Sequence, residues 1–301
     1  MTLVECVPNF SEGRRLEVID QIVAAIAAAD GVHVLHRQSD ATHNRCVITF
    51  VGPDEAAAQA AFDGIVAAAR LIDLTQHEGA HPRFGAADVV PFVPVKEDDM
   101  PVCVELARGL AVRVGAELDM PAYLYEDAAR RPEQRNLADV RRGEFEGLRE
   151  AILTDPRRAP DEGPRRLHPT AGAVAIGARP PLIAYNVNLD SDDIELAREI
   201  AVAIRECDGG FPKVKAMGLA LDDCVQVSMN LVDYRVTSMH TAYEEVARRA
   251  AARGVRVRES EVVGLVPEAA LVDVARRALT ATGFTQQQVL EVRVLDLLSG
   301  A

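Results

Sequence analysis

His77, Glu78 and His81 lie in the stretch HEGAHPRFGAADVVPF and satisfy the spacing H-E-x-x-H. On a helix, that spacing puts both imidazoles on consecutive turns, where they can share a zinc ion with the glutamate as base. Here the neighbouring residues oppose a helix. Gly79 costs about 1 kcal/mol relative to alanine in a helix interior, and Pro82 pushes His81 toward extended backbone. No apolar helical stripe continues past Pro82. The expectation is a loop and no metal, since the spacing carries little metal information off a helix.

The elements that must position this loop follow from composition and periodicity. The 301 residues are 49% hydrophobic but only 4% aromatic, without Trp, so the core must be packed from Ala, Val, Leu and Ile. That length suits two ordinary domains. A formal net charge of −13 argues against a nucleic-acid or anionic-membrane surface. An anionic ligand would therefore need a local cluster of Arg, Lys or backbone N–H groups. Five scattered cysteines without C-x-x-C fit a reducing compartment. The N-terminus has no secretory pattern and no apolar run reaches the length of a membrane span, so a soluble, cytoplasmic protein is expected.

Periodicity predicts the same element order twice. TLVECVPNF, GVHVLHRQ, RCVITFVG and ADVVPFVPV are predicted strands, with helices over 15–28 and 53–71. The prolines of the last strand, 91 and 94, suggest an edge or irregular position. In the second half PLIAYNVNL, KVKAMGLAL, CVQVSMNLV and VRVRESEVVGLV are the strands. Ser191 is the expected cap of the first helix there, and Thr237 or Ser238 of the second. Each half reads β-α-β-β-α-β. Helices over 267–282 and 286–298 close the chain. Between the halves come a helix over 102–118, a strand PAYLY and an Arg-rich segment. The stretch DPRRAPDEGPRRLHPTAGAVAIGARPP follows, rich in Pro and Gly, and reads as an interdomain linker. Long loops in compact chains are often functional, however, and Arg165, Arg166 and His168 beside flexible glycines could bind an anion.

Several separated motifs carry a resemblance: VECVPNFSEG, HNRCVITFVG, RLIDLTQHEGAHPRFGAADVVPFVPV, ELDMPAYLYEDAAR, GARPPLIAYNVNL, QVSMNLVDYRVTSMHTAYEEV and VVGLVPEAAL. Together, and over nearly the whole chain, they resemble the formiminotransferase family of histidine degradation. The resemblance implies an α+β fold of two ferredoxin-like subdomains in tandem, placed here at 1–178 and 179–301. It implies transfer of the formimino group of N-formimino-L-glutamate to N5 of tetrahydrofolate, the co-substrate, giving 5-formiminotetrahydrofolate and L-glutamate. The family's catalytic histidine, in its H-P-R triplet, falls on His81. Its folate-binding segment falls on Gly163, Pro164, Arg165, Arg166, Leu167, His168, Pro169, Thr170, Ala171 and Gly172. A homodimer is implied too. Animal members are fused to a cyclodeaminase, which here is expected to be a separate protein. Two departures stand out. His36 and Gln38 occupy positions where relatives often carry acids, leaving Asp40 as the nearest carboxylate, and the folate segment is more basic than in animal members.

The chemistry explains the residue types. N5 must lose a proton on attacking the formimino carbon, and the departing glutamate nitrogen must gain one. A histidine with an ordinary pKa of about 6.5 can serve both steps, and Pro82 would help fix its direction. Both substrates carry carboxylates, so Arg45 and Arg83 are candidates for bidentate contacts, or else for surface ion pairs. Asn9 and Asn44, beside turns, could bind ligand or cap the turns. Asn186, Asn188 and Asn230 stand on apolar strands, facing either a ligand cleft or solvent. Ser11 and Glu12 precede a helix, as ordinary caps or as a carboxylate-binding helix start. His77 could assist in the pocket or line it; His33 and His240 are expected to be structural. Two rivals remain: a formyltransferase using N-formylglutamate, and a silent folate-binding relative.

Overall fold

A computed structural model describes residues 2–299. The chain divides into two compact units, Met1–Pro180 and Pro181–Ala301.

In the first unit the chain runs β1 (Leu3–Cys6), β2 (Asn9–Phe10), α1 (Leu16–Ala27), β3 (His33–Asp40), β4 (Arg45–Pro53), α2 (Asp54–Leu71) and β5 (Ala87–Pro94). These strands pair antiparallel in the order β3, β4, β1 with β2, then β5, a ferredoxin-like sheet. The chain then adds α3 (Met100–Leu118), β6 (Ala122–Glu126), α4 (Leu137–Val140), α5 (Glu144–Thr154) and β7 (Val174–Ala178). Strand β7 joins β5 in parallel, and β6 joins β7 in parallel.

Alternation along the strands sorts the residues. Cys46, Ile48 and Phe50 of β4 enter one core with Val4, Cys6 and Phe10, and with Ile19, Ile22 and Ile26 of α1. Each isoleucine so buried contributes roughly 1.5–3 kcal/mol. Helix α2 presents Ala57, Ala60, Ala61 and Ala68 to this core. A Cβ on its Gly64 would stand 3.0 Å from Ile26, so small residues set how closely α1 and α2 approach. The opposite sheet face carries Asn9, Arg45 and Asp88, and a smaller core of Phe84, Tyr123, Tyr125, Leu148 and Ile152.

The second unit repeats the plan with β8 (Ile183–Leu189), α6 (Ile194–Ile204), β9 (Val214–Ala220), β10 (Val225–Leu231), α7 (Met239–Ala252) and β11 (Val257–Val263). Its strand order is β11, β8, β10, β9, again the ferredoxin-like order. Two further helices follow, α8 (Glu268–Ala278) and α9 (Leu290–Ser299). Ile183, Tyr185, Val187 and Leu189 of β8 pack beneath the helices with Val225, Val227, Met229 and Leu231 of β10. No described helix is long and apolar enough to cross a membrane.

Three local expectations need correction. Strand β5 is not an edge: it lies between β1/β2 and β7 with every residue buried. Pro91 is tolerated because β1 and β2 break at Val7–Pro8 beside it, where Val7 N–H donates to the Pro91 carbonyl at 3.2 Å. The linker reading missed β7, whose five residues are all buried. A strand covered on both faces shows no alternation, and Ala and Gly give it no apolar weight. Finally, Asp193 rather than Ser191 caps α6, its side chain accepting from the Glu195 N–H.

Candidate active site

Residues 72–86 connect α2 to β5 without a helix, as Gly79 and Pro82 imply. The two histidines of this loop turn to different backbone carbonyls. His77 Nε2 lies 2.9 Å from the Asn44 oxygen, and Arg83 Nε donates to His77 Nδ1 at 3.3 Å. This arrangement assigns the proton to Nε2 of a neutral ring. Burial, with the Arg83 charge, holds the His77 pKa below its ordinary value. His81 Nδ1 lies 2.8 Å from the Pro82 carbonyl, so it donates there and Nε2 carries the free lone pair. Burial first, then the charges of Arg45 and Arg141, push the His81 pKa well below the ordinary range. His81 is thus a neutral base with one available nitrogen.

The charges behind it form a buried cluster. Asp88 on β5 is fully buried. Its Oδ2 lies 2.7 Å from Arg45 Nη1 and 2.8 Å from Arg141 Nη2, and its Oδ1 accepts from the Phe84 N–H at 2.9 Å. Burial alone would raise the Asp88 pKa; Arg141, Arg45 and the Phe84 N–H together outweigh it and lower it. Asn9 Oδ1 accepts from Arg45 Nε at 3.2 Å and Nη2 at 3.0 Å. Arg141 also donates to the Pro82 carbonyl, the acceptor that His81 uses. Its Nε is buried without a protein partner.

Tight turns hold the loop against the sheet. Asn44 adopts positive φ of 47°. Its Oδ1 accepts from the Gly13 N–H and its Nδ2 donates to the Glu78 carbonyl, each at 2.9 Å. A Cβ on Gly79 would stand 2.4 Å from the His43 carbonyl oxygen, so only glycine lets the loop approach this closely. Ser11 is not a helix cap: its hydroxyl donates to the Gly85 carbonyl at 2.7 Å. Buried Glu12 instead accepts from the Arg14 and Arg15 N–H groups, both at 2.9 Å, and pairs with the Arg15 side chain. Two adjoining clefts open beside His77. One, of about 480 Å³, reaches Leu74, Gly79, Arg83 and Glu146. The other, of about 280 Å³, reaches Glu12, Arg14 and Asn44.

The remaining candidates fall in three places. Arg83 makes a bidentate pair with Glu146, both contacts at 2.7 Å, at the rim of the larger cleft. The segment 163–172 packs beside the loop. Leu74 N–H donates to the Thr170 carbonyl at 2.8 Å, and Ala86 N–H to the Ala171 carbonyl at 2.9 Å. His168 and Gly172 exchange backbone hydrogen bonds of 3.0 and 3.1 Å, closing a tight turn around Pro169. Gly172 has positive φ of 72°, and a Cβ there would stand 2.2 Å from the Phe84 carbonyl oxygen. Arg165 donates to the Ile152 carbonyl, and Arg166 pairs with Asp119. Gly163, Pro164 and Leu167 lead into this turn, Leu167 packing against the hydrophobic cores. Asn186, Asn188 and Asn230 belong to the second unit, on the face of its sheet away from the helices. There Asn186 donates to Glu261 at 3.4 Å and Asn188 to Glu259 at 3.2 Å, while Asn230 is exposed.

Sequence reasoning missed Asp88, Arg141 and His43. The signal for Asp88 was there to find: a lone charge inside an apolar strand asks for a buried partner. Arg141 lay unmarked among the arginines of 130–142.

Comparison with known proteins agrees with this organisation. Residues 3–179 match the formiminotransferase domain, N-terminal subdomain, and residues 184–293 match the formiminotransferase domain. A glutamate formimidoyltransferase of Streptococcus pyogenes is 48% identical, the alignment covering 97% of this chain and 99% of that protein. One from Thermoplasma acidophilum is 52% identical, with 97% of each chain covered. A formimidoyltransferase-cyclodeaminase of Sus scrofa is 44% identical over 91% of this chain and 52% of its own length. The duplicated ferredoxin-like fold, the H-P-R loop and likenesses that span nearly all of this chain agree: the chain belongs to the formiminotransferase family.

Proposed function

We propose that this protein moves the formimino group of N-formimino-L-glutamate to N5 of tetrahydrofolate, with His81 as the acid/base. The observation that carries this reading is the state of His81: neutral, with Nδ1 committed to the Pro82 carbonyl and Nε2 free, beside Arg45 and Arg141. N5 attacks the formimino carbon and a C–N5 bond forms. His81 Nε2 takes the N5 proton. The bond from that carbon to the glutamate nitrogen then breaks, and the proton goes to the departing nitrogen. Arg45 and Arg141 share one carboxylate, Asp88, so the cluster keeps a net positive charge in an acidic protein. A substrate carboxylate drawn to that charge would offset the repulsion from Arg45 and Arg141 that adds to burial in depressing His81, making the imidazolium easier to form as the reaction proceeds.

The segment 163–172 is the proposed folate site. Its bounding glycines let the segment pack closely against the Met120 and Phe84 carbonyls. Arg165 and Arg166 supply positive charge for the glutamyl carboxylates. His168, whose Nδ1 accepts from the Ala171 N–H at 3.0 Å and whose pKa burial lowers, supplies a neutral hydrogen-bonding ring. The same reading carries a cytoplasmic location and a homodimer, which fractionation and light scattering would test. The deciding experiment is glutamate release from N-formiminoglutamate with and without tetrahydrofolate, beside N-formylglutamate. Tetrahydrofolate-dependent release from the formimino compound is expected. Release from the formyl compound alone would move the assignment to a formyltransferase, and silence throughout would favour a folate-binding protein.

A further inference from the structure

The turn between β3 and β4 carries an imidazole that the transfer described above does not use. His43 is only 8% exposed. Its ring stands edge-on to that of His81, with centroids 6.0 Å apart and planes at 85°. Its Nδ1 lies 3.0 Å from Asp40 Oδ2, and its backbone N–H donates to Asp40 Oδ1 at 2.7 Å. A carboxylate at Nδ1 fixes the proton there and leaves Nε2 as the basic nitrogen. That Nε2 is buried and has no hydrogen-bond partner. Leaving such an atom unpaired costs roughly 1–3 kcal/mol, and its retention asks for a reason.

We propose that His43, oriented by Asp40, relays the proton that His81 removes from the folate nitrogen. His81 is poorly placed to hold a positive charge, because it is buried and the charges of Arg45 and Arg141 add to that penalty. His43 is better placed, because its Nδ1–H points to an anion. The N5–H bond breaks as His81 Nε2 gains the proton. His43 Nε2 then accepts it, after a small ring rotation or through one bridging water. His81 regains its lone pair, and the charge rests on an imidazolium paired with the Asp40 carboxylate. The proton returns along the same path to the glutamate nitrogen as its bond to the one-carbon unit breaks, so none is gained or lost overall. His43 acts through His81 and is a positioning residue rather than one that touches substrate. The contact with His43 also holds the Asp40 pKa down to about 2, so Asp40 is an anion throughout the neutral range. The other charged or titratable groups around this turn include Arg14, whose Nε donates to the Ala41 carbonyl, Arg45 at the start of β4, and, on the loop, Glu78, His81 and His77, whose Nε2 lies 2.9 Å from the Asn44 carbonyl.

This inference rests on the proposed transfer, and its test separates the two. Turnover and KM are measured for the wild type, His43→Gln and His43→Ala, from about pH 5 to about pH 9, spanning the histidine range. Glutamine keeps an N–H for Asp40 but carries no proton. His43→Gln is expected to lose roughly tenfold or more in kcat, with KM within about twofold and the pH profile of kcat displaced. Added imidazole should restore part of the His43→Ala loss. A His43→Gln enzyme with wild-type kcat and pH profile would overturn the relay and leave His43 as a pin for the turn. So would a loss in which KM rises as kcat falls and imidazole restores nothing. If His43→Gln does not fold, imidazole rescue of His43→Ala decides by the same criteria. A wild type inactive with tetrahydrofolate would instead remove the transfer itself.

Discussion

Both units fold as β-α-β-β-α-β with the same strand order, yet the sheet faces turned away from their paired helices differ in kind. The first places a carboxylate between two arginines at full burial, with Asn9 completing the hydrogen bonds of one. The second places neutral amides there: Gln226 donates to Asn188 at 2.9 Å, and Asn186 and Asn188 reach glutamates on β11. The connections differ as well. The link from the second helix to the last strand of the repeat spans residues 72–86 in the first unit and only 253–256 in the second. The candidate acid/base lies on the longer link, and the added β6, α4, α5 and β7 supply Arg141. One topology thus serves as frame in both units, and the proposed proton chemistry is concentrated where loop length and insertions depart from it.

The largest test of this contrast is Asp88→Ala, which leaves Arg45 and Arg141 facing each other unpaired. A loss of about 3–5 kcal/mol in urea unfolding is expected. A loss under about 1 kcal/mol would mean that the cluster is solvated in solution. Next comes His81→Ala, expected to cost roughly 10²-fold or more in turnover while folate binding by titration is largely kept. Near-normal turnover would end the acid/base assignment.

A smaller effect concerns pH. The folded-state His81 pKa is depressed, so the unfolded chain binds more protons just below its ordinary value of about 6.5. Its contribution to stability is therefore complete above that pH and falls as the pH drops toward the folded value. In the free enzyme, the acid limb of kcat/KM should lie below pH 6.5, the ordinary value from which His81 is shifted. A limb above it would contradict the depressed base. The smallest effect belongs to the second unit: Glu259→Gln keeps an acceptor for Asn188 and should change stability by no more than about 0.5 kcal/mol. A larger change there would erase the contrast between the faces.

Much of this was legible in the sequence, for reasons visible residue by residue. Alternating Cys46, Ile48 and Phe50, and Val225, Val227 and Met229, announced strands covered on one face. Pro82 and Gly79 announced a loop where a motif suggested a helix. What escaped was long-range. Strand β7 lacks alternation because both its faces are covered, and Pro91 looked misplaced because the break in its neighbour at Val7–Pro8 is a matter of pairing. Arg45 and Arg83 both read as carboxylate binders or ion pairs. Their partners, Asp88 and Glu146, lie 43 and 63 positions away, beyond any local pattern. His43 gained its interest only when the chain brought it 6.0 Å from His81.

The Pro82 carbonyl has a consequence for timing. It receives both His81 Nδ1–H and Arg141, which fills its two lone pairs and denies the imidazole a second outlet. On the proposed mechanism, traffic through the ring is then single-file: whatever enters at Nε2 must leave at Nε2 before anything else can enter. A chain that fastens a histidine to the carbonyl of its neighbouring proline would, if the proposed acid/base role holds, write the sequence of events into its backbone.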